Sequence, residues 1–150
     1  SVVRASGVSD VYKGLWYVCV GDIGEEDDSN VTFLDLQICI KDNTVCTTTY
    51  DKREDFSFEI VAYPDLSGNI PKRQAYGVCT SQLLRHAGNC THLEDFAEKC
   101  ATLITKLQTN GFNHRTLMKT ICITLDKNGW ISRKYKCNKD GIIKHITMKL

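Results

Sequence analysis

The chain has 150 residues, of which 42% are hydrophobic and 25% charged, and its formal net charge at pH 7 is +1. That length suits a single domain, 1–150, with a sizeable core, and the near-neutral charge excludes a global electrostatic pull toward nucleic acid, membrane surfaces or acidic partners. No run of about 18 apolar residues occurs, so no membrane span is expected.

Residues 1–13 are polar and unpatterned and read as an irregular arm. With no apolar leader ahead of it, Ser1 is expected to be a mature terminus left by signal-peptide removal. Gly14-Leu15-Trp16-Tyr17-Val18-Cys19-Val20 reads as a buried strand. The acidic run 21–30 is a solvated loop that lacks the D-x-D-x-D-G spacing of a calcium loop. From Val31 to Ile40 the chain alternates, with Leu34, Leu36, Ile38 and Ile40 on one face and Phe33, Asp35, Gln37 and Cys39 on the other, which predicts one strand. Lys41-Asp42-Asn43 turns the chain, and Phe56 to Tyr63 resumes the alternation. Pro64, Gly68 and Pro71 mark a long loop. That loop carries Lys72-Arg73, which is either a dibasic processing site or simply two solvated cations. A short helix is expected within Cys79–Gly88, starting at Thr80 or Ser81, with Leu83 and Leu84 inward.

The strongest local signal is Thr91 to Gly111. Thr91 and Glu94 have the spacing of a capping box. Leu93, Phe96, Cys100, Leu103, Ile104 and Leu107 form one apolar stripe at helical spacing. Lys106 suits the negative end of the helix dipole, and Asn110-Gly111 supplies a left-handed stop. A main helix over about 91–110 is therefore predicted. Beyond it, Leu117–Asp126, Trp130–Cys137 and Ile142–Leu150 each alternate. A Lys127-Asn128-Gly129 loop and an Asp140-Gly141 turn align their apolar sides. The expected fold class is α+β: an antiparallel sheet including this C-terminal three-stranded meander, packed on the main helix.

Eight cysteines are scattered through the chain: Cys19, Cys39, Cys46, Cys79, Cys90, Cys100, Cys122 and Cys137. None forms a C-x-x-C pair and none has zinc spacing with a histidine, so no metal site or cofactor is expected. An even, dispersed set is the pattern of a disulfide-stapled exported protein. Cys39 and Cys46 flank a turn and can close a short loop. Cys90 and Cys100, about 15 Å apart along one helix, should not pair, and neither should Cys122 and Cys137. Two sequons, at Asn30 and Asn89, are glycosylation candidates and favour the secretory route.

Four histidines are present: His86, His92, His114 and His145. No H-E-x-x-H, G-x-S-x-G or Cys/His protease signature surrounds them. His114, Lys119 and His145 are the residue types a secreted ribonuclease needs for acid–base chemistry, without a spacing that selects them. Basic residues gather late in the chain, where Arg133, Lys134 and Lys136 with Trp130 are candidate contacts for a partner protein. The outward lysines equally suit strands protected from aggregation.

The Gly14-Leu15-Trp16-Tyr17 stretch is similar to the entry strand of lipocalins, but a main helix followed by three further strands is the wrong order for that family. The same residues with Cys19 are similar to the first extracellular loop of claudin-like proteins, which the distance to the next cysteine and the missing spans exclude. In size, dispersed cysteines, dibasic pair and α+β pattern the chain resembles the small secreted cysteine-rich effectors of fungi and the killer toxins of yeasts. That resemblance implies a secreted protein that binds an extracellular or host protein and carries over no functional residue. A secreted hydrolase such as a ribonuclease, or a carrier of small apolar ligands, is the alternative.

Overall fold

The computed structural model describes residues 30–41, 43–52 and 63–150. The strand expected at 14–20, the acidic run through residue 29, Cys19 and the strand over 56–62 lie outside the described residues. Within them the chain is α+β. A three-stranded antiparallel sheet is followed by five helices, none long and apolar enough to cross a membrane.

The sheet runs β1 (Asn30–Phe33), β2 (Leu36–Lys41) and β3 (Thr44–Thr49) in that spatial order. The stretch expected as one strand over 31–40 is thus two strands folded back at Leu34-Asp35, where Leu34 has φ 55. The expected turn after β2 is present, with Asn43 at φ 61. β3 follows at once, in TVCTTT. Its β-branched residues favour a strand, but threonine on both faces hides the alternation that would reveal it. The outer edge of β3 is occupied. Thr91 N–H donates to Thr47 O at 2.8 Å, and Thr47 N–H donates to Thr91 Oγ1 at 2.8 Å.

The main helix is α2, Leu93–Thr109, and its stripe of Phe96, Cys100, Leu103, Ile104 and Leu107 is buried as expected. Gly111 is left-handed at φ 84 and ends it. The capping box does not form: His92 is the N-cap and makes no side-chain cap bond. Thr91 serves β3 instead, and Glu94 reaches Lys149 Nζ at 3.2 Å.

What covers the stripe is not a β-meander. α1 (Lys72–Asn89), α3 (His114–Lys127), α4 (Trp130–Tyr135) and α5 (Lys139–Lys149) are all helices. The shared core runs from Ala75 through Leu83, Phe96, Ile104, Leu117 and Ile131 to Ile146. The reason lies in a degenerate spacing. Leu117, Ile121 and Leu125 on α3, and Ile142 and Ile146 on α5, stand four apart, a multiple of the strand period that also matches a helix face. The residues in between decide. Ile123 is 43% exposed and Met148 74%, as helical geometry requires, although both belong to the apolar face of the predicted strands. The presumed turns are helix boundaries: Asn128 is the C-cap of α3, and Asp140-Gly141 lies in the first turn of α5. Asn113 Oδ1 accepts from Thr116 N–H at 3.2 Å and Asn138 Oδ1 from Gly141 N–H at 2.8 Å, so both are N-caps.

α1 begins eight or nine residues before the expected start at Thr80 or Ser81, directly after Pro71, whose fixed φ suits an N-terminus. Its far end is capped by another helix. Lys134 Nζ donates to Ala87 O at 2.6 Å and Gly88 O at 3.1 Å, and the Tyr135 hydroxyl donates to Cys90 O at 2.9 Å.

Candidate functional site

Three elements converge on an open cleft. The end of β3 delivers Thr49, Tyr50 and Asp51. One face of α1 delivers Gln82, Arg85 and His86, and α2 delivers Lys99, Leu103 and Lys106, spaced four and three apart on a single face. The inner part is narrow, with a cavity volume of about 20 Å³, and the cleft widens outward past Leu34, Asp35, Lys52 and Tyr63. Being open and lined by charges, it suits side chains of a partner better than a small apolar ligand that must be sealed from water.

Two contacts fix its walls. Arg85 Nε lies 3.0 Å from Asp35 Oδ2, tying α1 to the β1–β2 turn. His86 Nδ1 lies 3.1 Å from Thr49 Oγ1. Burial lowers the His86 pKa to about 4, and the Arg85 and Lys99 cations push the same way, so the imidazole is neutral near pH 7. The turn at the mouth is unusual. Leu34 is 76% exposed and adopts a left-handed backbone that favours glycine. No Gly or Asn marks this turn, so the alternation of 31–40 runs through it without a break.

The candidate partner-binding residues are dispersed in role. Trp130 opens α4 and is exposed, as are Arg133 and Lys136. Lys134 is occupied as the cap of α1, and burial lowers its pKa. These residues belong to a short helix and its left-handed end at Lys136, φ 50, not to the outer face of a sheet.

The ribonuclease residues do not meet. His145 Nε2 lies 3.5 Å from Glu94 Oε1, at the start of α2. His114 begins α3 beyond the other end of α2, next to Asn113, whose N–H donates to the Tyr76 hydroxyl. From Glu94 to Thr109 the helix rises roughly 20 Å, too far for both imidazoles to serve one phosphate.

No disulfide joins any two of the seven described cysteines, Cys39, Cys46, Cys79, Cys90, Cys100, Cys122 and Cys137, so the stapled scaffold expected from their number is not supported. Cys79, Cys90 and Cys100 are core residues that fill space between α1 and α2. Burial pushes the Cys79 thiol up to about 11 and raises the Cys100 thiol well above its ordinary value, which makes them poor nucleophiles. Cys46 differs: its Sγ lies 3.0 Å from His92 Nε2, a pairing that forty-six residues of separation concealed. Among the described residues no three His, Cys, Asp or Glu side chains gather closely enough to hold a metal ion.

Asn30 is exposed at the head of β1. At Asn89 the amide nitrogen that would carry a glycan is buried, with no hydrogen-bond partner among the described residues. Lys72 and Arg73 are exposed but sit in the first turn of α1, not in an extended loop of the kind a processing protease grips. Comparison of the chain with models of protein families, with curated proteins and with solved structures gives no match.

Proposed function

We propose that this protein is a secreted, cysteine-rich effector or toxin-like protein that acts by binding an extracellular or host protein, and that the partner seats on the cleft entered at Leu34. The observation that carries the reading is Leu34 itself. A large apolar side chain exposed to water gains nothing from folding, and its left-handed backbone costs on the order of 1 kcal/mol or more in a residue other than glycine. Two unfavourable features at one residue are readily explained if a partner covers the side chain. Asp35 and Arg85, directly behind it, offer a hydrogen-bonding rim of both signs, the usual surround of a buried apolar anchor. The exposed sequon at Asn30 favours export.

The test uses a photo-crosslinking side chain at Asp51, inside the cleft, in otherwise unchanged protein and in Leu34→Gly. Proteins crosslinked from tissue the protein meets should be lost in Leu34→Gly and retained in Lys144→Ala, on the exposed face of α5. A partner held equally well by Leu34→Gly would refute the assignment of this cleft.

A further inference from the structure

The β2–β3 register places Cys39 directly opposite Cys46. Directly opposed residues of an antiparallel pair point to the same face, with Cα atoms about 4.5–5.5 Å apart, inside the window of about 4.4–6.8 Å that a disulfide spans. The two sulfurs can therefore join without any slip of the strands. They are not equivalent. Cys46 is buried at 4% exposure, and its sulfur is hydrogen-bonded to His92 Nε2 at 3.0 Å. Cys39 is partly exposed on the central strand, and His92 is exposed. An accessible thiol, a second thiol opposite it and a base on that second thiol are the three parts of a dithiol–disulfide exchange centre.

We propose that Cys39, Cys46 and His92 form such a centre, and that it reacts with small soluble disulfides of the oxidised-glutathione class. The Cys39 thiolate attacks one sulfur of the external disulfide. A Cys39–S–S–R bond forms, the external S–S bond breaks, and the departing thiolate takes up the proton that Cys39 released. Cys46 then passes its proton to His92 Nε2 and attacks Cys39 Sγ. The Cys39–Cys46 bond forms, the second external thiolate leaves, and it receives the proton from His92. The two protein thiols lose two electrons, the external disulfide gains them, and two external thiols are released with His92 neutral again. The bond closes only a short hairpin loop, so it gains little loop-closure entropy and a readily reduced disulfide is expected, and the same steps run in reverse with excess thiol. The buried core thiols take no part.

The test incubates the intact, folded protein with oxidised glutathione, traps remaining thiols by alkylation and maps the products by digestion and mass spectrometry. Cleavage after Lys41 separates the two cysteines, so their bond appears as a joined pair of peptides. The expected first stable product is Cys39 joined to Cys46, while Cys79 and Cys100 are alkylated only after unfolding. In Cys46→Ser the reaction should stop at glutathione bound to Cys39. His92→Gln, and separately His92→Ala, should slow closure on the order of tenfold or more, with the mixed disulfide on Cys39 accumulating and the far-ultraviolet circular dichroism unchanged. Absence of the Cys39–Cys46 product in the wild-type chain overturns the proposal outright. Closure at the wild-type rate in both His92 variants removes His92 from it.

Discussion

His86 Nδ1 and Thr49 Oγ1, 3.1 Å apart, link α1 to the last residue of β3 inside the core, and the histidine is held neutral there. The unfolded chain takes up the proton near pH 6.5, whereas the folded chain resists it until about 4. Stability contributed by the neutral imidazole is therefore fully present above pH 6.5 and is lost as the pH falls toward 4, by about 3 kcal/mol at most. Urea unfolding of the wild type should show that decline between the two values. In His86→Gln the slope over this interval should be much flatter.

Leu34→Gly removes an exposed side chain and relieves a left-handed backbone. It should raise stability by about 1 kcal/mol, read as a higher urea midpoint with unchanged slope. A fall in stability would mean that Leu34 supports the fold, which would remove the ground for treating it as a contact residue.

Phe96 stacks on Tyr135 with ring centroids 5.1 Å apart, while the Tyr135 hydroxyl donates to Cys90 O. The two roles separate by mutation. Tyr135→Phe keeps the stack and should cost about 1–2 kcal/mol for the carbonyl left without its donor. Phe96→Ala opens a cavity in the core and should cost about 3–5 kcal/mol. Thermal denaturation of both variants gives the comparison.

Thr91→Val removes the hydroxyl that accepts from Thr47 N–H and leaves the edge of β3 without that acceptor. Amide exchange of β3 should accelerate on the order of tenfold, matching about 1.4 kcal/mol of local stability, while exchange in the middle of α2 stays the same. If α2 exchanges faster instead, Thr91 is capping that helix after all.

The sequence made α2 legible because its stripe contains Phe96, Leu103 and Leu107, whose odd and even spacings fit no strand. It made α3 and α5 illegible for the opposite reason. Leu117, Ile121 and Leu125 fit both periods, and the three-residue Lys127–Gly129 segment reads as a hairpin loop as easily as a helix boundary. The N-caps Asn113 and Asn138 were the available corrective signal. At the site, neither Asp35 with Arg85 nor Cys46 with His92 could be found locally, since each pair is joined only by the packing of the sheet against α1 and α2. The left-handed Leu34 defied the residue preferences by which turns are recognised.

α5 begins thirty residues after α2 ends at Thr109, and it packs against α2. A growing polypeptide emerging from the ribosome would therefore carry the Phe96–Leu107 stripe only partly covered until Ile142 and Ile146 arrived. Completion of the core must wait until α5 has emerged, and until then the exposed part of the stripe is a natural target for chaperones that hold apolar segments.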